Sequence, residues 1–192
     1  MLCVDLGLEV DNVALKKHNT NWIRYFNREK QFIQNKVDYF KTKKCEYGIN
    51  KIKDDVHIKH IGSTSIEGVL AKPIIDILVG YGEKENVHDV IALLIGCGYK
   101  YLGECGRQGR IFMVKSCKDK VLYHLHLVAY KEYYWNNFTK FKEILKHNNE
   151  VKNEYNEIKI NLKNKGLNRE EYRRLKGEFV EKIMERECQY DR

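Results

Sequence analysis

Proline is nearly absent: Pro73 is the single one in 192 residues, and no Ser/Pro-rich stretch divides the chain. Linkers between independent units are commonly rich in such residues. The sequence therefore reads as one domain over 1–192, with a core over about 20–130 and a helical tail over about 133–187. No run approaches the roughly 18 consecutive apolar residues of a membrane-spanning helix, which excludes transport through such helices. The first fifteen residues hold Asp5, Glu9 and Asp11 and neither Lys nor Arg. A secretory leader needs a basic start and a longer apolar run, so the expected location is the cytoplasm. The six cysteines, Cys3, Cys45, Cys97, Cys105, Cys117 and Cys188, form no CxxC pair. That spacing argues against a structural zinc site, and a reducing compartment argues against a disulfide framework.

What is present is a globular composition, 43% hydrophobic, in a chain long enough to bury a core. The net charge of +8 is unevenly placed: residues 16–60 carry twelve Lys/Arg against five acids. A basic patch attracts nucleic acid and other polyanions. A lysine-rich face is more often simply solvated, so nucleic acid is the less favoured partner.

Trp22, Tyr25, Phe26, Phe32, Ile33, Val37 and Phe40 recur at three- and four-residue steps, predicting a helix over 20–41 capped by Asn19 or Thr20. Residues 41–54, punctuated by Gly48, read as a loop. Val56, Ile58 and His60 then alternate with His57, Lys59 and Ile61, as in a strand. Residues 62–73 have loop composition, with room for one helical turn. Ile74–Val79 is apolar on both faces except at Asp76, the pattern of a strand inside a sheet. Val87, Val90, Ile91 and Leu94 predict a second helix ending at Gly96. Short strands follow at about 99–104, 110–115 and 121–128, with Gly103, Gly106 and Gly109 at the turn between the first two. From Tyr133 the pattern is helical, broken near Gly166 and restarted at Asn168. The class is α/β or α+β, a mixed sheet flanked by helices with a helical C-terminal segment.

Four constellations could carry chemistry. In His60-Ile61-Gly62-Ser63-Thr64-Ser65 a strand runs into a glycine-hydroxyl turn whose N–H groups and hydroxyls could cradle phosphate. An ordinary turn is the commoner meaning of a bare Gly-Ser pair. Asp76 is a carboxylate in an apolar run and needs a partner. It could accept hydrogen bonds from the Gly62–Ser65 turn or bind Mg²⁺. His124 and His126 lie two residues apart and share one strand face. They could bind a metal, contact phosphate, or be hydrogen-bonded sheet histidines. Glu104, Arg107 and Arg110 sit in a glycine-rich turn, where arginine forks suit phosphate but surface arginines are commoner. Lys72 is a further candidate phosphate contact, or a solvated lysine.

In order, the segments NWIRYFNREKQFI, IKHIGSTSIEGVLAKPIIDILVG, GYKYLGECGRQGRIFMV, YHLHLV, FTKFKEILKHNNEVKNEYNEIKINL and NREEYRRLKGEFVEKIM resemble the GrpB (UPF0157-type) family from about Asn21 to Met184. HIGSTS followed by PIIDI and later HLH is the specific core of that resemblance. It implies a nucleotidyltransferase-like fold, in which a Gly-Ser turn follows the first core strand and acids on the next strand hold a divalent metal. By position, Gly62 and Ser63 are the Gly-Ser pair and Asp76 is the first acid. The sequence departs from that pattern at Leu78, where a second metal-binding acid would stand, and no third carboxylate is evident. Glu67 stands where the family often has proline. The resemblance implies a metal-dependent nucleotidyltransferase with Mg²⁺ or Mn²⁺ as cofactor. Asp76, His124 and His126 are the candidate catalytic and metal residues. His60, Gly62, Ser63, Thr64, Ser65, Lys72, Glu104, Arg107 and Arg110 are the candidate contacts to a nucleotide or other phosphate-bearing small molecule. The alternative is a non-catalytic nucleotide- or anion-binding module that has lost part of the acidic site.

Overall fold

The computed structural model describes residues 5–9, 12, 14–42, 56–82 and 87–190. Helix α1 spans Asn21–Thr42. Asn19 caps it: its side-chain oxygen accepts from the Asn21 N–H and its carbonyl from the Trp22 N–H, both at 2.9 Å. An Asn at this place satisfies donors that have no partner inside the helix. The helix buries Trp22, Phe26, Ile33 and Val37, the stripe expected from the periodicity. The loop expected after it, with Gly48, lies beyond Thr42 and outside the described residues.

Among the described residues six strands form one sheet: β1 (Leu8–Glu9), β2 (His57–Ile61), β3 (Ile75–Tyr81), β4 (Lys100–Tyr101), β5 (Ile111–Cys117) and β6 (Lys120–Ala129). Their order is β2-β3-β6-β5-β4, with β1 against the start of β6. Strands β3 and β6 run parallel and the other pairs antiparallel. β3 is internal, as a run apolar on both faces requires. Ile75, Ile77 and Val79 join Leu125, Leu127 and Met113 in a core closed by α1 and by Val90, Leu93 and Leu94 of helix α2 (Val87–Gly96). On the other face Ile61, Leu78 and Val128 pack on Trp135 of helix α3 (Tyr133–His147). Alternation puts Asp76 on that second face.

Helices α4 (Asn149–Asn164) and α5 (Arg169–Tyr190) complete the chain. Asn168 and Glu171 cap α5 reciprocally: Asn168 accepts from the Glu171 N–H at 2.9 Å, and Glu171 accepts from the Asn168 N–H at 3.4 Å. This is a capping box. Leu145, Val151, Tyr155 and Ile183 pack on Ile66 and Val69 of the loop before β3. The Asn156 amide accepts from the Leu70 N–H at 2.9 Å and donates to the Gly68 carbonyl at 2.8 Å. The three tail helices thus brace the segment that carries the Gly-Ser turn.

Two expectations change. The strand over 99–104 is Lys100–Tyr101 alone, because Gly103, Cys105, Gly106 and Gly109 all take positive φ and extended pairing cannot continue through them. β1 was not expected, since a two-residue pairing has no period to read.

Candidate functional site

Ile61, the last residue of β2, pairs with Asp76 on β3, so the turn after β2 opens directly over the Asp76 side chain. Gly62 has φ 69°, and a Cβ placed on it would lie 2.2 Å from Asp76 Oδ2. A glycine is needed twice over, for a left-handed backbone and for the space the carboxylate occupies. The turn then closes as one 3-10 turn over Ser63–Ser65. Ser65 donates through N–H and Oγ to the Gly62 carbonyl at 3.1 and 2.7 Å. The Thr64 hydroxyl is buried against His60 Nε2 at 3.0 Å. Ser63 remains half-exposed, its Oγ 3.5 Å from the Tyr155 hydroxyl of α4. The N–H groups of Ser63 and Thr64 precede the first bond of the turn, so the turn itself leaves them unpaired.

Parallel pairing sets Asp76 beside His124 and Leu78 beside His126. His124 Nδ1 lies 3.1 Å from Asp76 Oδ1, and His126 Nε2 lies 4.0 Å from the same oxygen. An ionised carboxylate only accepts, so His124 Nδ1 carries the proton. Phe112 on β5 is 5.2 Å and 5.3 Å from the His124 and His126 rings, and Phe138 of α3 is 4.9 Å from His126. Arg110, only 7% exposed, places Nη1 3.3 Å from His126 Nδ1 and donates from Nη2 to the Glu104 carbonyl at 2.9 Å. Its Nε is buried without a partner among the described residues.

Burial acts to raise the Asp76 carboxyl, but the hydrogen bond from His124 and the nearby His126 imidazole outweigh it and hold the group far below the usual carboxylate range. Burial pushes the His126 imidazole down to about 4; Asp76 opposes this, and Arg110 and His124 reinforce it. Burial also lowers Arg110, aided by Arg107. At neutral pH the cluster holds an ionised Asp76, a neutral His126 and a guanidinium.

The other candidates are more scattered. The His60 ring lies on the opposite sheet face, stacked on Phe26 at 4.6 Å and hydrogen-bonded to Thr64. Burial, with Lys142 and His18 nearby, lowers it to about 3. Lys72 sits over the Tyr172 ring of α5 at 4.6 Å. Glu104 accepts from the Gly109 N–H at 2.7 Å and so braces the glycine-rich turn, while Arg107 is exposed on it. The residues brought together are Gly62, Asp76, His124, His126 and Arg110, with Ser63 on the turn that Gly62 opens. Sequence reasoning passed over Phe112, Phe138, Tyr155 and Lys142, whose Nζ donates to the His60 carbonyl at 2.8 Å. Phe138 and Tyr155 carried only a helix-period signal, which names a buried face and not its neighbour.

The same geometry tests the divalent metal. Among the described residues no group of three or more His, Cys, Asp and Glu side chains could hold a metal ion. Leu78 is fully buried where a second acid would stand. The His124 nitrogen that faces Asp76 donates to it, so that nitrogen has no lone pair for an ion. The donor set does not fit a resident two-ion centre.

A family model described as GrpB protein matches residues 12–186. The chain is 33% identical over 187 residues to the glutamate-rich protein GrpB of Alkalihalophilus pseudofirmus, covering 93% of this chain and 98% of that protein. It is 30% identical over 142 residues to a UPF0157 protein of Vibrio cholerae, covering 74% and 73%. The crystal structure of a GrpB protein from Enterococcus faecalis matches at TM-score 0.65 and 24% identity, over 89% of this chain and 99% of that one. A Cid1 poly(U) polymerase with MgGTP bound aligns at TM-score 0.43 and 14% identity, over 71% and 41%.

Proposed function

The chain belongs to the GrpB family, and from that premise we propose that it is a nucleotidyltransferase-like protein that binds the phosphates of a nucleotide beside the Gly62–Ser63 turn and Asp76. The observation that carries this reading is the Asp76 carboxylate lying in the space a side chain at Gly62 would fill. A strand acid and a phosphate-type turn therefore meet at one place. The half-exposed Ser63 hydroxyl and the Ser63 and Thr64 N–H groups, which the turn itself does not pair, supply donors for phosphate oxygens. Arg110 supplies a fixed positive charge behind them.

Because the donor set does not fit a resident pair of ions, binding is expected without added metal. Ser63 and the turn orient the ligand, and Asp76 holds the two histidines in place. The competing reading is a metal-dependent transferase with Asp76 as its ligand, favoured by the position of that acid alone. Thermal unfolding with ATP, GTP, CTP or UTP, each with Mg²⁺, Mn²⁺ or EDTA, separates the two. Stabilisation by mass action that persists in EDTA supports metal-free binding. Stabilisation that needs the metal and is lost in Asp76→Asn supports the transferase. No shift with any nucleotide overturns both.

A further inference from the structure

The sequence makes His124 and His126 equivalent: the same residue type, two positions apart, on one strand face. Their hydrogen bonds make them unequal. Arg110 Nη1 can only donate, so at 3.3 Å it requires a lone pair on His126 Nδ1. The neutral His126 ring then carries its proton on Nε2, the nitrogen turned toward Asp76 Oδ1. His124 is reversed. Its Nδ1 N–H donates to Asp76 at 3.1 Å, so the lone pair of that tautomer lies on Nε2. The His124 side chain is 18% exposed, and no described residue is hydrogen-bonded to that Nε2. A carboxylate that fixes one imidazole nitrogen as a donor leaves the other as an oriented acceptor.

We infer that the two histidines are held in opposite tautomers and that His124 Nε2 accepts a hydrogen bond from a hydroxyl of a nucleotide bound at the Gly62–Asp76 site. Asp76, His126 and Arg110 are positioning residues. Arg110 fixes His126, both histidines face one oxygen of Asp76, and Asp76 fixes His124. The inference rests on the nucleotide-binding reading.

Long-range ¹H–¹⁵N correlation spectra of the full chain at neutral pH read the tautomers directly, with His124→Gln and His126→Gln for assignment. The expected result is a proton on Nδ1 of His124 and on Nε2 of His126. Arg110→Met should release His126 alone, and Arg110→Lys, which keeps a donor, should restore it. Asp76→Ala should release His124. His124 protonated on Nε2 and bare on Nδ1, or His126 protonated on Nδ1, overturns the inference whether or not nucleotide stabilises the fold. The ligand arm uses ATP in EDTA against diethyl pyrocarbonate modification of His124, followed by mass spectrometry. ATP at about ten times its Kd should slow modification roughly tenfold by mass action. Thermal stabilisation by ATP with no slowing overturns the role of His124 and leaves nucleotide binding standing. Neither stabilisation nor slowing overturns both.

Discussion

Gly62 concentrates two demands at one residue. Its φ of 69° strains any other side chain, and a Cβ would meet Asp76 Oδ2 at 2.2 Å. Gly62→Ala should therefore cost about 2 kcal/mol or more, seen as a lower unfolding midpoint, and should abolish stabilisation by nucleotide. The buried histidines set a pH window. His60 and His126 titrate near 3 and 4 in the fold, below the ordinary 6.5. The unfolded chain takes up their protons first as pH falls. Their contribution is complete above pH 6.5 and is lost as pH drops toward 4, by about 1–3 kcal/mol each. The charges acting on His60 are those of Lys142, Asp76 across the sheet and His18, and those acting on His126 are Asp76, Arg110 and His124. Asp76, held low, adds a loss that begins only below the usual carboxylate range. Thermal midpoints between pH 7.5 and 4 should fall, and His60→Gln should flatten the slope; an unchanged slope would remove His60 from this account. Asp76 and both histidines were legible as residues, but the inequality of the histidines was not, because it comes from Arg110, sixteen positions from His126 and in the turn before β5.

Two elements depend on polar ties that no periodicity announces. Glu29 is buried in α1, accepting from the Tyr99 hydroxyl at 3.0 Å and from Lys115 at 2.7 Å. It ties the first helix to β5 and to Tyr99, the residue before β4. Glu29→Ala leaves the buried Tyr99 hydroxyl without an acceptor and should cost about 2 kcal/mol. Glu29→Gln, which keeps an oxygen there, should cost about half as much; equal losses in denaturant unfolding would disprove the hydrogen-bond explanation. Asn156 on α4 grips Leu70 and Gly68 of the loop before β3. Asn156→Ala should cost about 1–2 kcal/mol and speed exchange of the Leu70 amide more than that of amides in α1. The helices and long strands were readable because their buried faces repeat, at 3.6 or 2 residues. β4 fell short of its expected range because residues of positive φ end it early, and sequence alone shows only the glycines among them.

At the scale of the whole molecule, the tail packs on the loop that carries the Gly-Ser turn, and that turn lies on Asp76 in the sheet. Core and tail are therefore expected to unfold as one cooperative unit. Tryptophan fluorescence, with Trp22 in the α1 core and Trp135 on α3, and far-ultraviolet dichroism should give coincident denaturant transitions; separate midpoints would divide the chain in two. The buried helix stripe, the doubly apolar β3 with its one acid, and the glycine after β2 were determined by the sequence itself, because local period and backbone sterics act over a few residues. The tertiary structure alone decided that β6 lies parallel beside β3, that Asp76 meets His124 and His126, that Arg110 is buried behind them, and that His60 belongs to the opposite face. These are partnerships between residues far apart in sequence, and the free energy that selects them comes from burying two sheet faces at once, which no local segment encodes.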